Sequence, residues 1–94
     1  MQGACIVSYD IFDDWRRHLV AGECARRGFR VQQSMWVVPI RSTIDYRLLT
    51  SRIHNAIKSN DRVLIHVPCR RCLRRVVHLP RSDATFQTGD HLLL

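Results

Sequence analysis

Short apolar runs alternate along this chain with segments of helical spacing, and that order is its strongest constraint. Residues 4–9 are apolar and partly β-branched, and they read as a buried strand that stops at Asp10. Asp13 and Asp14 follow. Either fits a helix N-cap, where a carboxylate accepts backbone N–H groups that lack a helical partner. The helix is expected over 14–27, with Gly28 as its C-terminal stop. Val20, Ala21 and Cys24 form one core face, which leaves Trp15 and Leu19 pointing elsewhere. An aromatic side chain off the core face suits the cover of another surface, such as a partner. Residues 29–38 are extended, with Gln32-Gln33-Ser34 as a polar interruption; the periodicity fits one long strand or a tight hairpin of two short ones. Pro39 ends the segment. A second helix is predicted over 43–58, where Tyr46, Leu49, Ile53, Ala56 and Ile57 recur at helical spacing. Ser59-Asn60-Asp61 is a turn cluster. Residues 62–67 read as a strand closed by Pro68, and 73–79 as a further strand closed by Pro80. From Arg81 the chain is polar until Leu92-Leu93-Leu94.

The order strand, helix, strand or hairpin, helix, strand, strand describes a small α/β (α+β) sandwich. A ferredoxin-like βαββαβ arrangement with an extra C-terminal strand fits it best. The expected organisation is one domain over 1–80 and a C-terminal tail over 81–94, placed to pair with a partner subunit. A chain of 94 residues has one modest core, and such a chain buries only about 60–70% of its unfolded surface. A second copy sharing a sheet face or edge adds burial, so a homodimer is expected.

Charge narrows the partners. The net charge is +7, from 15 basic and 8 acidic residues, and Lys58 is the one lysine among the basic residues. Guanidinium groups contact phosphate in planar, bidentate geometry and stack on bases. A genome rich in G and C would account for arginine over lysine, but not for the positive excess. A small basic domain of this kind reads as a nucleic-acid binder. The start of the chain carries no basic leader followed by a long apolar run, and no stretch approaches the ~20 apolar residues of a membrane span. A cytoplasmic protein without membrane contact is expected, with Cys5, Cys24, Cys69 and Cys72 reduced.

Three blocks in order carry a family resemblance. Tyr9-Asp10-Ile11, then Asp13-Asp14 and Arg16-Arg17, form the first. Gly28-Phe29-Arg30-Val31-Gln32-Gln33-Ser34-Met35-Trp36 form the second. Asp61-Arg62-Val63-Leu64-Ile65 followed by Cys69-Arg70-Arg71-Cys72 form the third. Taken together they resemble the small CRISPR-associated Cas-two (Cas2) family over residues 4–77. The chain departs from the family pattern at Val37, where many members are acidic, and at Trp36, where phenylalanine is more usual.

The resemblance implies a dimer in which two Asp10 carboxylates share one Mg²⁺ and serve metal-dependent cleavage of RNA or DNA. A lone carboxylate is too few ligands for a hard cation, so the site needs both subunits. Read without the resemblance, Asp10 is an acceptor of backbone hydrogen bonds at a strand–helix turn. Arg16, Arg17 and Arg30 are candidates for phosphate contacts, with solvated surface arginines as the alternative. Ser34 and Trp36 resemble family positions near the cleft, and Trp36 also fits a core or dimer-interface role. Cys69 and Cys72 form a lone CxxC, which suits zinc, redox chemistry or two idle thiols. His18, His54 and His91 have no partners in sequence that suggest catalysis.

Two functions are expected of such a chain. One is a metal-dependent endonuclease. The other is a dimeric adaptor holding the Cas-one (Cas1) integrase and a duplex DNA fragment during spacer capture. A generic RNA-binding ferredoxin-like domain is the alternative, but no strand carries the aromatic signature of that module.

Overall fold

Alternation along β1 (Gly3–Asp10) decides which face of the sheet is buried. Cys5, Val7 and Tyr9 point to one side and are almost wholly buried, while Ile6 and Ser8 between them are only partly covered. A computed structural model of the chain describes residues 3–75. Its elements run β1, α1 (Asp14–Ala25), β2 (Phe29–Gln32), β3 (Met35–Ile40), α2 (Thr43–Ala56), β4 (Arg62–His66) and a single-turn α3 (Arg70–Leu73). The strands form one antiparallel sheet in the order β2-β3-β1-β4, which is the ferredoxin-like arrangement expected from the sequence.

Residues 29–38 resolve into the hairpin alternative. Gln33 and Ser34 make the turn, and the β2–β3 register shifts between Arg30 and Gln32. The Tyr9 N–H donates to the Ser34 carbonyl at 3.0 Å, so the turn is tied to the end of β1. Pro39 does not end β3, which continues through it to Ile40. β3 lies inside the sheet, between β2 and β1.

Both helices begin at caps. Asp13 is the N-cap of α1 and accepts from the Arg16 N–H at 2.9 Å. Ser42 caps α2 by accepting from the Asp45 N–H. Asp45 in turn accepts from the Arg41 N–H and from Arg27, which links the end of α1 to the start of α2. Val20 and Cys24 of α1 and Leu49 and Ile53 of α2 meet Cys5, Val7, Tyr9, Trp36, Val38 and Ile40 of the sheet in one core. Complete burial of a residue such as Leu49 contributes about 1.5–3 kcal/mol.

Gly28 does more than stop α1. Its N–H donates to the Cys24 carbonyl, as a helix end requires. A Cβ there would stand 2.0 Å from the Val37 carbonyl oxygen and 2.8 Å from the Val38 Cα. Only glycine lets the chain pass this close to β3.

Among the described residues, the other face of the sheet has no helix of comparable length. Leu73 of α3 is 2% exposed and packs on Ala4 and Val37, with Phe29 and Val31 alongside. This corrects the expectation of a strand beginning at Leu73, since the residue closes a helical turn instead. The remainder of that expected extra strand, the boundary at 80 and the tail over 81–94 lie outside the described residues. Beyond the reach of α3, Leu64 of β4 is 65% exposed, opposite Ser8 in the register.

Candidate functional site

At the C-terminal end of β1, the β2–β3 turn and the first turns of α1 enclose a polar cleft of about 610 Å³, open to solvent. Asp10, Arg17, Arg30 and Ser34 line it together, so four of the residues singled out from sequence meet in space. Asp14, which the sequence offers as a helix cap or an extra metal ligand, also lines it, and so do His18 and Gln33, which were not singled out as site residues. His18 stands four positions after Asp14 on α1, so helical spacing carried a usable signal for it. Its ring stacks with that of Trp15, with centroids 5.9 Å apart.

The three carboxylates near the cleft have different tasks. Asp10 is exposed, and no described residue bonds to its carboxylate. Asp13 is the helix cap, and the hydrogen bond from the Arg16 N–H holds its carboxyl below the usual carboxylate range. Asp14 pairs with Arg17. Asp10 is therefore the one member of this set left uncommitted.

The arginines also divide. Arg16 Nε and Nη2 donate to Asp61 at 2.7 and 3.2 Å, and its Nη1 lies 3.5 Å from Asp13. Its side chain is largely buried, so the guanidinium is engaged inside the fold. Asp61 also accepts from the Lys58 N–H, and the Arg16 hydrogen bond, followed by the Lys58 one, depresses its carboxyl. Arg17 donates to the Ile11 and Phe12 carbonyls while it pairs with Asp14, so it shapes the loop below the cleft. Arg30 makes no ion pair with a described residue and sits 4.7 Å over the Trp36 ring, a distance at which a cation is attracted to an aromatic face. Trp36 is 7% exposed and its Nε1–H donates to the Tyr9 hydroxyl. Trp36 thus supports Arg30 from the core and does not line the cleft, whereas Ser34 does.

This arrangement presents one uncommitted carboxylate beside two guanidinium groups, which suits a phosphate diester held next to a cation. A single chain does not fit Mg²⁺ unaided. Among the described residues, no group of three or more His, Cys, Asp or Glu side chains is placed to hold a metal ion. Asp13 and Asp14 are occupied by a cap and an ion pair, so they do not complete a site around Asp10.

Known proteins share this fold. No curated protein matches the chain. Among solved structures, it is similar to Streptococcus pyogenes Cas2 at pH 6.5. That match has 23% identity and a TM-score of 0.70, and covers 81% of this chain and 98% of that one. It is also similar to the hypothetical protein TT1823 from Thermus thermophilus. There the identity is 26% and the TM-score 0.67, covering 73% of this chain and 84% of that one. Residues 3–76 match the family described as CRISPR associated protein Cas2, a stretch that includes every strand and helix above and all the residues of the cleft. The chain belongs to the CRISPR-associated Cas2 family.

Proposed function

We propose that the chain works as a homodimeric adaptor in spacer acquisition, holding the Cas1 integrase and a duplex DNA fragment in the cytoplasm. The observation that supports this most is the part of the second sheet face beyond α3, which no described helix covers. Leu64 stands 65% exposed there beside Ser8 and Ile6, and among the described residues no helix covers it. A second copy seated on that face removes apolar surface from water. A two-fold axis near the end of β1 then sets two Asp10 carboxylates opposite each other. The net charge of +7 supports contact with a nucleic-acid backbone, and Arg17 and Arg30 at the cleft are the groups proposed to meet phosphate. Arg16 contributes from behind, by fixing the start of α1 to Asp61. Among the described residues no helix is long and apolar enough to cross a membrane.

The uncommitted carboxylate of Asp10 favours a second activity on the same dimer, metal-dependent cleavage of RNA or DNA. Mg²⁺ shared by the two Asp10 side chains would supply Lewis-acid stabilisation of charge on the phosphodiester. The chain's own residues do the positioning: Arg17 and Arg30 hold phosphate, and the Ser34 turn bounds the cleft.

Sedimentation of the full chain at tens of micromolar, alone and with a DNA duplex and Cas1, tests the adaptor. A dimer that joins both is expected, with duplex affinity falling steeply as salt rises and little dependence on sequence. A monomer, or duplex binding insensitive to salt, overturns it.

A further inference from the structure

We propose that Cys69 and Cys72 form a reversible redox pair, a dithiol that closes to an intramolecular disulfide by exchange with a small-molecule disulfide of the glutathione class. Their placement carries this. The two sulfurs lie 3.2 Å apart, and the Cys72 N–H donates to the Cys69 Sγ at 3.4 Å. Both residues are exposed and both thiols are free. A disulfide brings its sulfurs to about 2.05 Å, so closure needs an approach of only about 1 Å.

The turn that carries them is anchored. The Leu73 N–H donates to the Cys69 carbonyl and the Arg75 N–H to the Cys72 carbonyl. Leu73 is buried against Ala4 and Val37, which pins α3 to the sheet and leaves the thiols on its outer side.

The other two cysteines show the contrast. Cys5 and Cys24 are fully buried, and burial pushes their thiols up to about 11 and about 12, so they stay protonated and out of reach. Cys69 moves the opposite way. The hydrogen bond shared with the Cys72 sulfur, aided by the Cys72 N–H, holds its thiol below the ordinary range. The same shared bond raises Cys72. Cys69 is thus the attacking sulfur, since the thiolate is the nucleophile in exchange. A zinc site fits less well. The pair supplies half of a tetrahedral set, and no third ligand joins it among the described residues.

The exchange balances. The Cys69 thiolate attacks one sulfur of the small disulfide, forming a mixed disulfide and expelling one thiolate, which takes a proton. Cys72 loses its proton to solvent and its sulfur attacks the Cys69 sulfur, expelling the second small thiol. Two protein thiols are oxidised and one small-molecule disulfide is reduced to two thiols. In a reducing cytoplasm the resting form is the dithiol, and the disulfide forms when the thiol pool is oxidised.

The test is mass spectrometry of the full chain after oxidised glutathione, combined with maleimide labelling without denaturant. The wild type should lose both reactive thiols and two hydrogens of mass, and dithiothreitol should restore them. Cys72→Ser should stop at one glutathione adduct. Cys69→Ser should react several-fold more slowly than Cys72→Ser. Two glutathiones on one wild-type chain, a disulfide between chains, thiols that stay unreacted, or zinc that holds both in the purified protein would each overturn the proposal.

Discussion

The two faces of this sheet use the same strands and reach opposite outcomes. On the helix side, Cys5, Val7, Tyr9 and Val38 are sealed by Val20, Cys24, Leu49 and Ile53. On the other side, among the described residues, only Leu73 of a one-turn helix provides a comparable seal, over Ala4 and Val37, while Leu64 remains in solvent. The difference teaches where stability and function are separated. Substitutions on the sealed face act on folding, while those on the open face and at its Asp10 end act on what the fold meets.

The largest expected effect lies at Asp10. If the dimer cleaves nucleic acid, Asp10→Ala should lower Mg²⁺-dependent cleavage by orders of magnitude, because a shared ion loses both protein ligands and its position at the scissile bond. Stability should change by less than about 0.5 kcal/mol, since the side chain is exposed and unpartnered. Cleavage assays beside thermal melts check both halves. Cleavage that survives assigns the activity to another site, and a wild type that does not cleave while the variant still captures spacers leaves the adaptor alone.

Next comes a direct contrast of the faces. Leu49→Ala should destabilise the chain by about 2–5 kcal/mol, the usual range for emptying a sealed leucine site. Leu64→Ser should leave the fold almost unchanged and weaken the proposed dimer. Denaturant titration and sedimentation of both variants measure this. Equal losses of stability would erase the distinction between the faces.

A smaller effect is expected at Asp61, whose carboxyl is depressed by Arg16 and the Lys58 N–H. A depressed folded pKa means the unfolded chain binds the proton more readily. The stabilisation is therefore complete above the unfolded value of about 3.9 and is lost as pH falls through the lower folded value. Asp61→Asn should lower the melting temperature near neutral pH and flatten its fall in acid below about pH 4. Melting curves across pH 2–7 check it, and parallel curves for variant and wild type would show that Asp61 adds nothing.

The smallest effect should come from Arg30→Ala. With its guanidinium over Trp36 and no ion pair to a described residue to break, removal should spare the fold. The salt dependence of duplex binding should drop by about 0.9 in slope for each phosphate that the variant no longer neutralises. An unchanged slope places Arg30 on the solvated surface. Arg16→Ala is a poorer probe, since it strands the buried Asp61 and confuses binding with folding.

Much of the scaffold is legible in the sequence. The apolar runs, the Asp13-Asp14 cap pair and the spacing of Leu49 and Ile53 are local signals, and each element they predict over 4–67 is present. The ordered blocks around Asp10, Arg30 and Asp61 pointed to the family that residues 3–76 match. The hairpin at 33–34 was open in the sequence, because polar residues interrupt a strand and make a turn equally well; its settlement came with the Tyr9 N–H reaching the Ser34 carbonyl.

What only tertiary structure decided depends on contacts between distant positions. Arg16 looked the same as Arg17 in the sequence, and a buried carboxylate 45 positions away separated them. Gly28 read as a helix stop, and the backbone of β3 passing beneath it supplied the stricter reason. Leu73 read as the start of a strand, and the apolar gap over Ala4 and Val37 drew it into a helical turn. Periodicity and capping are carried by residues a few positions apart, so the sequence by itself determined β1, the two long helices, β4, their order and the sealed face. Pairing and close approach are carried by residues that only the folded sheet brings together, so the sharing out of arginines, the cleft and the open face belonged to the structure.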